Sequence, residues 1–190
     1  MSNVIDLFKI PVYKTKLNLD TKKILNYFLK LKLPGRKFSN VGGYQSQDLN
    51  GSHPSINNLF LEIEKHSNIF SQNLDIVGNV RLSNLWININ RYKDLNLEHN
   101  HAGCILSGVY YLKTPKDCGN IVFTHPCTDF MAYAWPYRKE VRNSYSSSQW
   151  FLKSEVDELI LFPGWLKHYV EPNLSKQDRV SISFNLVWRL

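Results

Sequence analysis

Near its carboxyl end the chain carries the segment RVSISFNLVW, residues 179–188, which decides the fold. Its two kinds of side chain alternate strictly: Val180, Ile182, Phe184 and Leu186 on one side, Arg179, Ser181, Ser183 and Asn185 on the other. Successive side chains of a strand point to opposite faces, so this pattern predicts a β-strand with one apolar and one polar face. The polar face has two interpretations: it is exposed to solvent, or it lines an open barrel that holds a polar ligand.

Four earlier segments also have the composition of strands, namely 85–90, 105–112, 120–124 and 158–162. The first of them places Ile87 and Ile89 on one face, and Trp86, Asn88 and Asn90 on the other. Turn residues such as Pro163-Gly164 separate the segments. Short strands with turns between them predict a mainly β sandwich or barrel.

Residues 1–78 lack this alternation, and we predict that they form helices and connecting segments that support the β core. A helix is expected after Asp20, where Ile24, Phe28 and Leu31 recur at helical spacing before Pro34-Gly35. A second helix is expected over residues 55–73. We therefore predict a single domain over 1–190, with its β core in 79–190 and a lid-like segment at about 128–150.

Length, composition and charge indicate which kind of protein the chain is. A chain of 190 residues with 43% hydrophobic and 21% charged residues is typical of one globular domain. The net charge of +7 is spread along the chain without a long basic run, so specific nucleic-acid binding is not predicted. No apolar run approaches the roughly 20 residues that a membrane helix needs. Three cysteines without C-x-x-C spacing indicate reduced thiols, and a cytoplasmic location is expected.

Three histidines carry the main chemical signal. His99 and His101 are two positions apart, so on an extended segment both imidazoles point to the same face and can chelate one metal ion. His168 follows the Pro163-Gly164 turn, and antiparallel strands could bring it to the same end of a barrel. The alternative is that the H-x-H pair arose by chance on the surface.

Arg179 is relevant to that choice because it is the first residue on the polar face of the strand 179–188. An arginine inside such a pocket is a natural bidentate partner for a carboxylate. A 2-oxo acid that chelates a metal through its keto and carboxyl oxygens needs such an anchor for its far carboxylate. Metal-binding histidines together with Arg179 therefore indicate a site for a metal ion and a 2-oxo acid.

Five segments stand in an order that resembles a small family of 2-oxoglutarate/Fe(II) oxygenases related to the prolyl-hydroxylase branch. They are SNVGGYQS (39–46), HNH (99–101), LSGVYYL (106–112), FPGWLKH (162–168) and RVSISFN (179–185). The resemblance implies a jelly-roll core, a double-stranded β-helix, with helices on its outer face. It also implies Fe(II) as cofactor, with 2-oxoglutarate and dioxygen as cosubstrates. The implied reaction hydroxylates an unidentified substrate and releases succinate and carbon dioxide.

The resemblance assigns roles to four residues of this chain. It implies that His99 and His168 are metal ligands, and that Arg179, helped by Ser181, binds the far carboxylate of 2-oxoglutarate. The departure is at His101, where the superfamily has a carboxylate. We expect three histidine ligands, with Glu98 or Asp94 as alternative sources of a carboxylate.

Further cavity residues follow from the strand faces. Asn90 is expected to contact the cosubstrate, because a buried amide needs a partner. The substrate contacts are expected to be Trp86, Asn88, Tyr110 and His125, with core packing as the rival interpretation for the two aromatic residues. The substrate itself, a small molecule or a peptide, is not indicated by the sequence, and a homodimer is left open.

Two other functions are compatible with three histidines on strands. A zinc hydrolase or hydratase uses the same ligand set to activate water, although it has no need for a buried carboxylate anchor. A non-catalytic cupin-like module would bind metal alone, but no glutamate follows H-x-H within residues 102–106. The oxygenase remains the leading hypothesis.

Overall fold

Two antiparallel sheets form the molecule in a computed structural model that describes residues 4–49, 53–54, 56–128 and 143–189. The larger sheet contains β1 (Tyr13–Lys16), β2 (Gly35–Arg36), β4 (Tyr44–Ser46), β5 (Asn79–Asn90), β7 (Leu106–Lys113), β10 (Glu158–Pro163) and β12 (Arg179–Arg189). The smaller sheet contains β3 (Asn40–Val41), β6 (Leu95–His99), β8 (Ile121–Thr124), β9 (Gln149–Leu152) and β11 (His168–Val170). The strand orders are β1-β10-β7-β12-β5-β4-β2 and β3-β6-β11-β8-β9.

Strand β12 lies at the centre of the larger sheet, between β5 and β7. Its apolar face is buried in the main core, where Ile182, Phe184 and Leu186 have no exposed surface. Its polar face lines an interior cavity with Arg179, Ser181, Ser183 and Asn185. Of the two interpretations of that face, the barrel interior is therefore confirmed, and so is the predicted jelly-roll core.

Two helices cover the apolar face of the larger sheet. Helix α1 (Thr21–Leu31) begins where Asp20 accepts a hydrogen bond from the backbone N–H of Lys23 at 3.0 Å, and it buries Ile24 and Phe28. Helix α2 (Asn57–Asn73) packs on β5 and buries Leu59, Ile63 and Phe70. Both predicted helices are confirmed.

The amino-terminal part contributes strands as well as helices. Strand β1 pairs with β10, β2 and β4 extend the larger sheet beyond β5, and β3 pairs with β6. Strands of two to four residues are too short to show a period of two, so the sequence predicted only helical and connecting structure here. These short strands are functionally important because β2 and β4 form one wall of the cavity.

The predicted lid falls mostly outside the described residues, because 129–142 are not among them. Its last residues form part of β9, which pairs with β8. The lid and the division into support and core therefore stay predictions. Neither of the helices in the described ranges is long and apolar enough to cross a membrane.

Candidate active site

Three histidine side chains converge at the cavity. One ligand nitrogen from each of His99, His101 and His168 can be chosen so that all three lie within 4.8 Å of one another. Within the described ranges this is the group of histidine, cysteine and carboxylate side chains arranged to hold a metal ion. The predicted convergence of His168 with the H-x-H pair is thus what the fold produces.

Strand pairing and one glycine explain how residues so far apart in the sequence meet. His99 at the end of β6 lies directly opposite His168 at the start of β11, and their ring centroids are 4.4 Å apart. His101 lies in the loop that follows β6, and its own backbone N–H donates to the Gly164 carbonyl at 2.8 Å. A Cβ at Gly164 would lie 2.3 Å from the Cys104 carbonyl oxygen, so only glycine lets the two loops pack this closely.

Backbone hydrogen bonds select which nitrogens are available. The Nδ1–H of His99 donates to the Leu97 carbonyl at 2.7 Å, and that of His168 donates to the Leu166 carbonyl at 2.9 Å. These bonds hold each ring in the tautomer whose Nε2 carries a lone pair, and they fix the ring orientation. Two of the three rings are therefore prepared to bind a metal through Nε2.

Burial keeps the three rings neutral. It lowers the pKa of His168 to about 3 and that of His101 to about 4, with the neighbouring histidine rings as a further cause, and it lowers the pKa of His99. Only a neutral imidazole binds a metal, so these ligands stay available at neutral pH. Three neutral nitrogens suit iron, zinc, copper or nickel, and the donor set fits a divalent transition metal.

The cavity beside the histidines has a volume of about 670 Å³, and Arg179 forms its floor. Arg179 is 1% exposed, and its Nη1 donates to the carbonyl oxygens of Cys118 and Glu171. Its Nη2 is buried and has no hydrogen-bond partner in the part of the chain that the structure describes. Burial lowers the pKa of Arg179, yet a guanidinium remains charged at neutral pH. The site therefore offers a buried cation with a free donor, which is what a carboxylate needs.

Two neighbours shape the floor around Arg179. A Cβ at Gly119 would lie 3.0 Å from Nη1 of Arg179, so this glycine leaves room for the guanidinium. Tyr111 is buried opposite Ser181, and burial raises its pKa to about 12, so its phenol stays protonated. Of these two residues, Tyr111 lines the cavity beside Arg179.

The structure places most of the predicted contact residues in this cavity. Asn90 and Ser181 line it near Arg179, and Asn90 lies directly opposite Arg179 on β5. Trp86 and Asn88 also line it, and the ring centroid of Trp86 is 6.1 Å from that of His101. The alternation read from segment 85–90 therefore gave the correct face.

Two predicted contacts lie elsewhere. Tyr110 has no exposed surface, belongs to the main core and donates to Asp157 Oδ1 at 2.6 Å, so the prediction that it lines the cavity is wrong. Tyr111, the next residue, occupies the inward position. His125 lines a second cavity of about 710 Å³ beside Trp150 and the segment 4–10, and it is not among the residues around the first cavity.

The two carboxylates considered as alternatives to His101 have other partners. Glu98 accepts a hydrogen bond from the Thr124 hydroxyl, and Asp94 accepts from the backbone N–H of Arg91 at 2.7 Å. Neither belongs to the group of converging ligand atoms among the described residues. The donor set that the fold assembles is therefore all histidine.

Sequence reasoning missed three cavity residues on or just after the short strands β2 and β4. Arg36, Gln45 and Asp48 line the cavity, and Arg36 Nη2 is 2.6 Å from Asp48 Oδ1. Gln45 falls within segment 39–46, which carried the family resemblance but no assigned role. Their strands are too short for periodicity to reveal which side chains face inward.

Comparison with protein families gives one match over the core of the chain. A family model described as "Putative 2OG-Fe(II) oxygenase" matches residues 84–185, which is more than half of the chain and includes all three histidines and Arg179. No curated protein sequence matches the chain.

Solved structures with similar folds come from several oxygenases. A prolyl-4-hydroxylase from Pseudomonas putida has a TM-score of 0.66 at 12% identity, covering 95% of this chain and 94% of its own. The viral collagen prolyl hydroxylase vCPH from Paramecium Bursaria Chlorella virus-1 has a TM-score of 0.61 at 13% identity, covering 93% and 96%. HygX from Streptomyces hygroscopicus, with nickel and 2-oxoglutarate bound, has a TM-score of 0.61 at 10% identity, covering 95% and 84%. At these identities the likeness shows the fold alone.

Proposed function

The chain belongs to the 2OG-Fe(II) oxygenase family, and on that premise we propose that His99, His101 and His168 hold its iron while Arg179 anchors 2-oxoglutarate. An enzyme of this family is an oxidoreductase that uses Fe(II), 2-oxoglutarate and dioxygen. The bound metal supplies oxygen activation, coupled to oxidation of 2-oxoglutarate to succinate and carbon dioxide. The protein's own residues bind, orient and shield the reacting groups.

One observation carries the assignment of residues. His99, His101 and the buried Arg179 guanidinium with its free donor line the same cavity, and the His168 imidazole packs against the other two rings, in a chain of this family. Imidazoles hold the metal, and the guanidinium fixes the far end of a dicarboxylate whose other end reaches the metal. The histidines bind the metal and Arg179 binds a carboxylate, and 2-oxoglutarate is a molecule that can contact both.

The walls of the cavity support the orientation of the cosubstrate. Ser181 and Asn90 flank Arg179 with polar groups, and the protonated Tyr111 phenol lies beside them. These groups lie on long strands of the larger sheet, so they can hold the carboxylate of 2-oxoglutarate without rearrangement of the backbone. We propose Ser181 and Asn90 as positioning residues for 2-oxoglutarate.

The reaction that we propose is hydroxylation of a small molecule or a peptide. The prolyl hydroxylases with similar folds act on proline, but fold alone does not transfer that substrate to this chain. Trp86, whose ring lies near that of His101, and Asn88 are the proposed substrate contacts. The three cysteines are free thiols, which supports a reducing compartment and the proposed cytoplasmic location. The homodimer stays a prediction.

The absence of a carboxylate ligand has a consequence for the metal. Three neutral nitrogens leave the site one negative charge poorer than a two-histidine, one-carboxylate site, so we expect weaker binding of hard cations such as Mg²⁺ and Mn²⁺. A zinc hydrolase would use the same histidines, but it would leave the free donor of Arg179 without a purpose.

Succinate formation tests the proposal. Protein loaded with Fe(II) and supplied with 2-oxoglutarate should form succinate in air at a rate that falls to background without oxygen. Arg179→Lys should lower that rate, while Arg81→Lys on the exposed side of β5 should not. If iron-loaded protein neither bound 2-oxoglutarate nor formed succinate, the assignment of these residues would be wrong.

A further inference from the structure

One side of the cavity, which we call the side wall, is formed by Arg36, Gln45, Trp86 and Asn88. These residues stand on β2, β4 and β5, and Asn88 on β5 lies directly opposite Ser181 on β12. Trp86 connects the side wall to the three histidines, because its ring lies near that of His101. A group held beside Trp86 would therefore lie close to the metal position.

Two buried amide oxygens on the side wall have no partner. Gln45 and Asn88 lie directly opposite each other on β4 and β5 and are 4% and 6% exposed. Gln45 Oε1 and Asn88 Oδ1 form no hydrogen bond with any part of the chain that the structure describes. The Nδ2 of Asn88 donates to the Ser183 hydroxyl at 3.0 Å, which leaves its oxygen as the free atom. A buried acceptor without a partner destabilises the folded protein, so two neighbouring ones indicate a ligand that donates hydrogen bonds.

The neighbouring polar residues are different, because they satisfy one another. Ser107 donates to Asn185 at 2.8 Å, Asn185 donates to Asn84 at 3.0 Å, and Asn84 donates to Asp48 at 3.2 Å. This chain closes that end of the polar face. The free acceptors are thus a local property of Gln45 and Asn88 and not of the polar face as a whole.

Arg36 adds one hydrogen-bond donor to the side wall, and Asp48 balances its charge. Its guanidinium lies 5.1 Å from the Trp86 ring centroid and 5.0 Å from that of Phe38, and it pairs with Asp48. Its Nε is buried and unpaired within the described residues. The side wall therefore presents two acceptors and one donor around a charge that is already balanced.

2-Oxoglutarate does not match this pattern. At neutral pH it is a dianion that carries only acceptors, so it cannot donate to Gln45 or Asn88, whereas Arg179 suits it. A cationic group would satisfy the two acceptors but would leave Nε of Arg36 unpaired and would lie beside its guanidinium. An uncharged group with both donors and an acceptor satisfies all three atoms.

We propose that the side wall binds the substrate through an uncharged group that donates two hydrogen bonds and accepts one, as a primary carboxamide or a vicinal diol does. The inference rests on the proposed function, in which the cavity holds a substrate beside 2-oxoglutarate. It names the chemistry that the substrate presents to Gln45, Asn88 and Arg36.

Ligand-observed NMR with matched probes tests this directly. The protein is loaded with Zn²⁺, which binds histidine without redox chemistry, and titrated with 2-oxoglutarate and then with each probe. Propionamide is compared with N,N-dimethylpropionamide, and cis-1,2-cyclohexanediol with its dimethyl ether. At least one donor probe should bind at least about tenfold more tightly than its methylated partner. Whether the amide or the diol binds identifies the source of the donors.

Two variants and one matched control place the binding on the side wall. Gln45→Met and Asn88→Leu remove the acceptors with little change in size and should each weaken the donor probe about tenfold. Gln47→Met makes the same change at an exposed glutamine two residues away and should change nothing. Gln45→Met should also leave the free energy of unfolding unchanged or higher, because it removes an unpaired buried acceptor. A purely structural role for Gln45 would lower it.

The outcomes separate this inference from the proposed function. If the methylated probes bound as tightly as the donors, if neither donor probe bound, or if both variants bound like the unmodified protein, the side wall would not be the substrate site proposed here. A different outcome is that the protein does not bind 2-oxoglutarate but still binds a donor probe, and that Gln45→Met weakens this binding. That result would overturn the proposed function and leave the side wall as a binding site.

Discussion

His99 on β6 and His168 on β11 lie directly opposite each other in the smaller sheet, with ring centroids 4.4 Å apart. Each donates its Nδ1–H to a backbone carbonyl two residues earlier. The pairing of the two strands thus sets the distance between the rings, and these hydrogen bonds set the nitrogens that the rings present. His101 completes the set from the loop that follows β6.

Removing one histidine should remove the metal. We expect His168→Gln to weaken Fe(II) binding at least about 100-fold, since loss of a ligand exceeds the 10- to 100-fold cost of losing a supporting residue. His53→Gln, which changes a histidine outside the cluster, should bind like the unmodified protein. Metal titration followed by calorimetry measures both. A His168→Gln variant that bound one equivalent of iron as tightly as the unmodified protein would rule out His168 as a ligand.

Arg179→Lys should separate cosubstrate binding from metal binding. Lysine keeps the charge but loses the fork that can hold a carboxylate through two hydrogen bonds. We expect 2-oxoglutarate affinity to fall by about 10- to 100-fold with metal affinity unchanged, as measured by anaerobic calorimetry. The exposed Arg81→Lys serves as the control. Unchanged 2-oxoglutarate affinity in Arg179→Lys would mean that another residue anchors the carboxylate.

Gly164→Ala should disturb the metal site from outside it. The new Cβ would lie 2.3 Å from the Cys104 carbonyl and 3.1 Å from that of His101, so the loop carrying His101 must shift. We expect the free energy of unfolding to fall by about 1–3 kcal/mol and metal affinity to fall with it. Gly35→Ala, whose nearest contact would be 3.4 Å, should be tolerated. Equal metal affinities in the two variants would show that Gly164 does not position His101.

The stability of the metal-free protein should depend on pH through the buried histidines. In the folded protein the pKa is lowered to about 4 for His101 and to about 3 for His168. In the unfolded chain the pKa of an imidazole is about 6.5. Between these values the unfolded chain binds more protons than the folded protein. The free energy of unfolding should therefore be highest above about pH 6.5 and fall as the pH drops towards 4.

Urea unfolding of metal-free protein at several pH values between 7.5 and 5 measures this effect. In His168→Gln, one of the responsible groups is gone, so the decrease with falling pH should be smaller. A free energy of unfolding that stayed constant over this range in the unmodified protein would contradict the burial of these rings as neutral groups.

The fold and the convergence of the three histidines could be predicted because they rest on long or well-spaced patterns. Strand β12 alternates over the eight residues 179–186, so both its apolar face and its polar face were identified correctly. The two-residue spacing of His99 and His101 places both imidazoles on one side. The position of His168 followed from the order of family motifs and from the turn at Pro163-Gly164.

The rest could not be predicted because the chain gives no local signal for it. Strand β7 is buried on both faces, so its residues show no polar alternation, and nothing in the sequence distinguishes the direction of Tyr110 from that of Tyr111. The side wall depends on β2 and β4, which have two and three residues. The free acceptors of Gln45 and Asn88 depend on which neighbours pair with each other in space, and that appears only in the folded protein.

The most direct test of the central claim is the affinity for 2-oxoglutarate with and without Fe(II), measured under anaerobic conditions in the unmodified protein and in His168→Gln. If the three histidines hold the metal that chelates 2-oxoglutarate above Arg179, one equivalent should bind tightly with Fe(II). Binding should weaken at least about 100-fold both without the metal and in His168→Gln. Equal affinity with and without Fe(II), or tight iron-dependent binding in His168→Gln, would contradict the account.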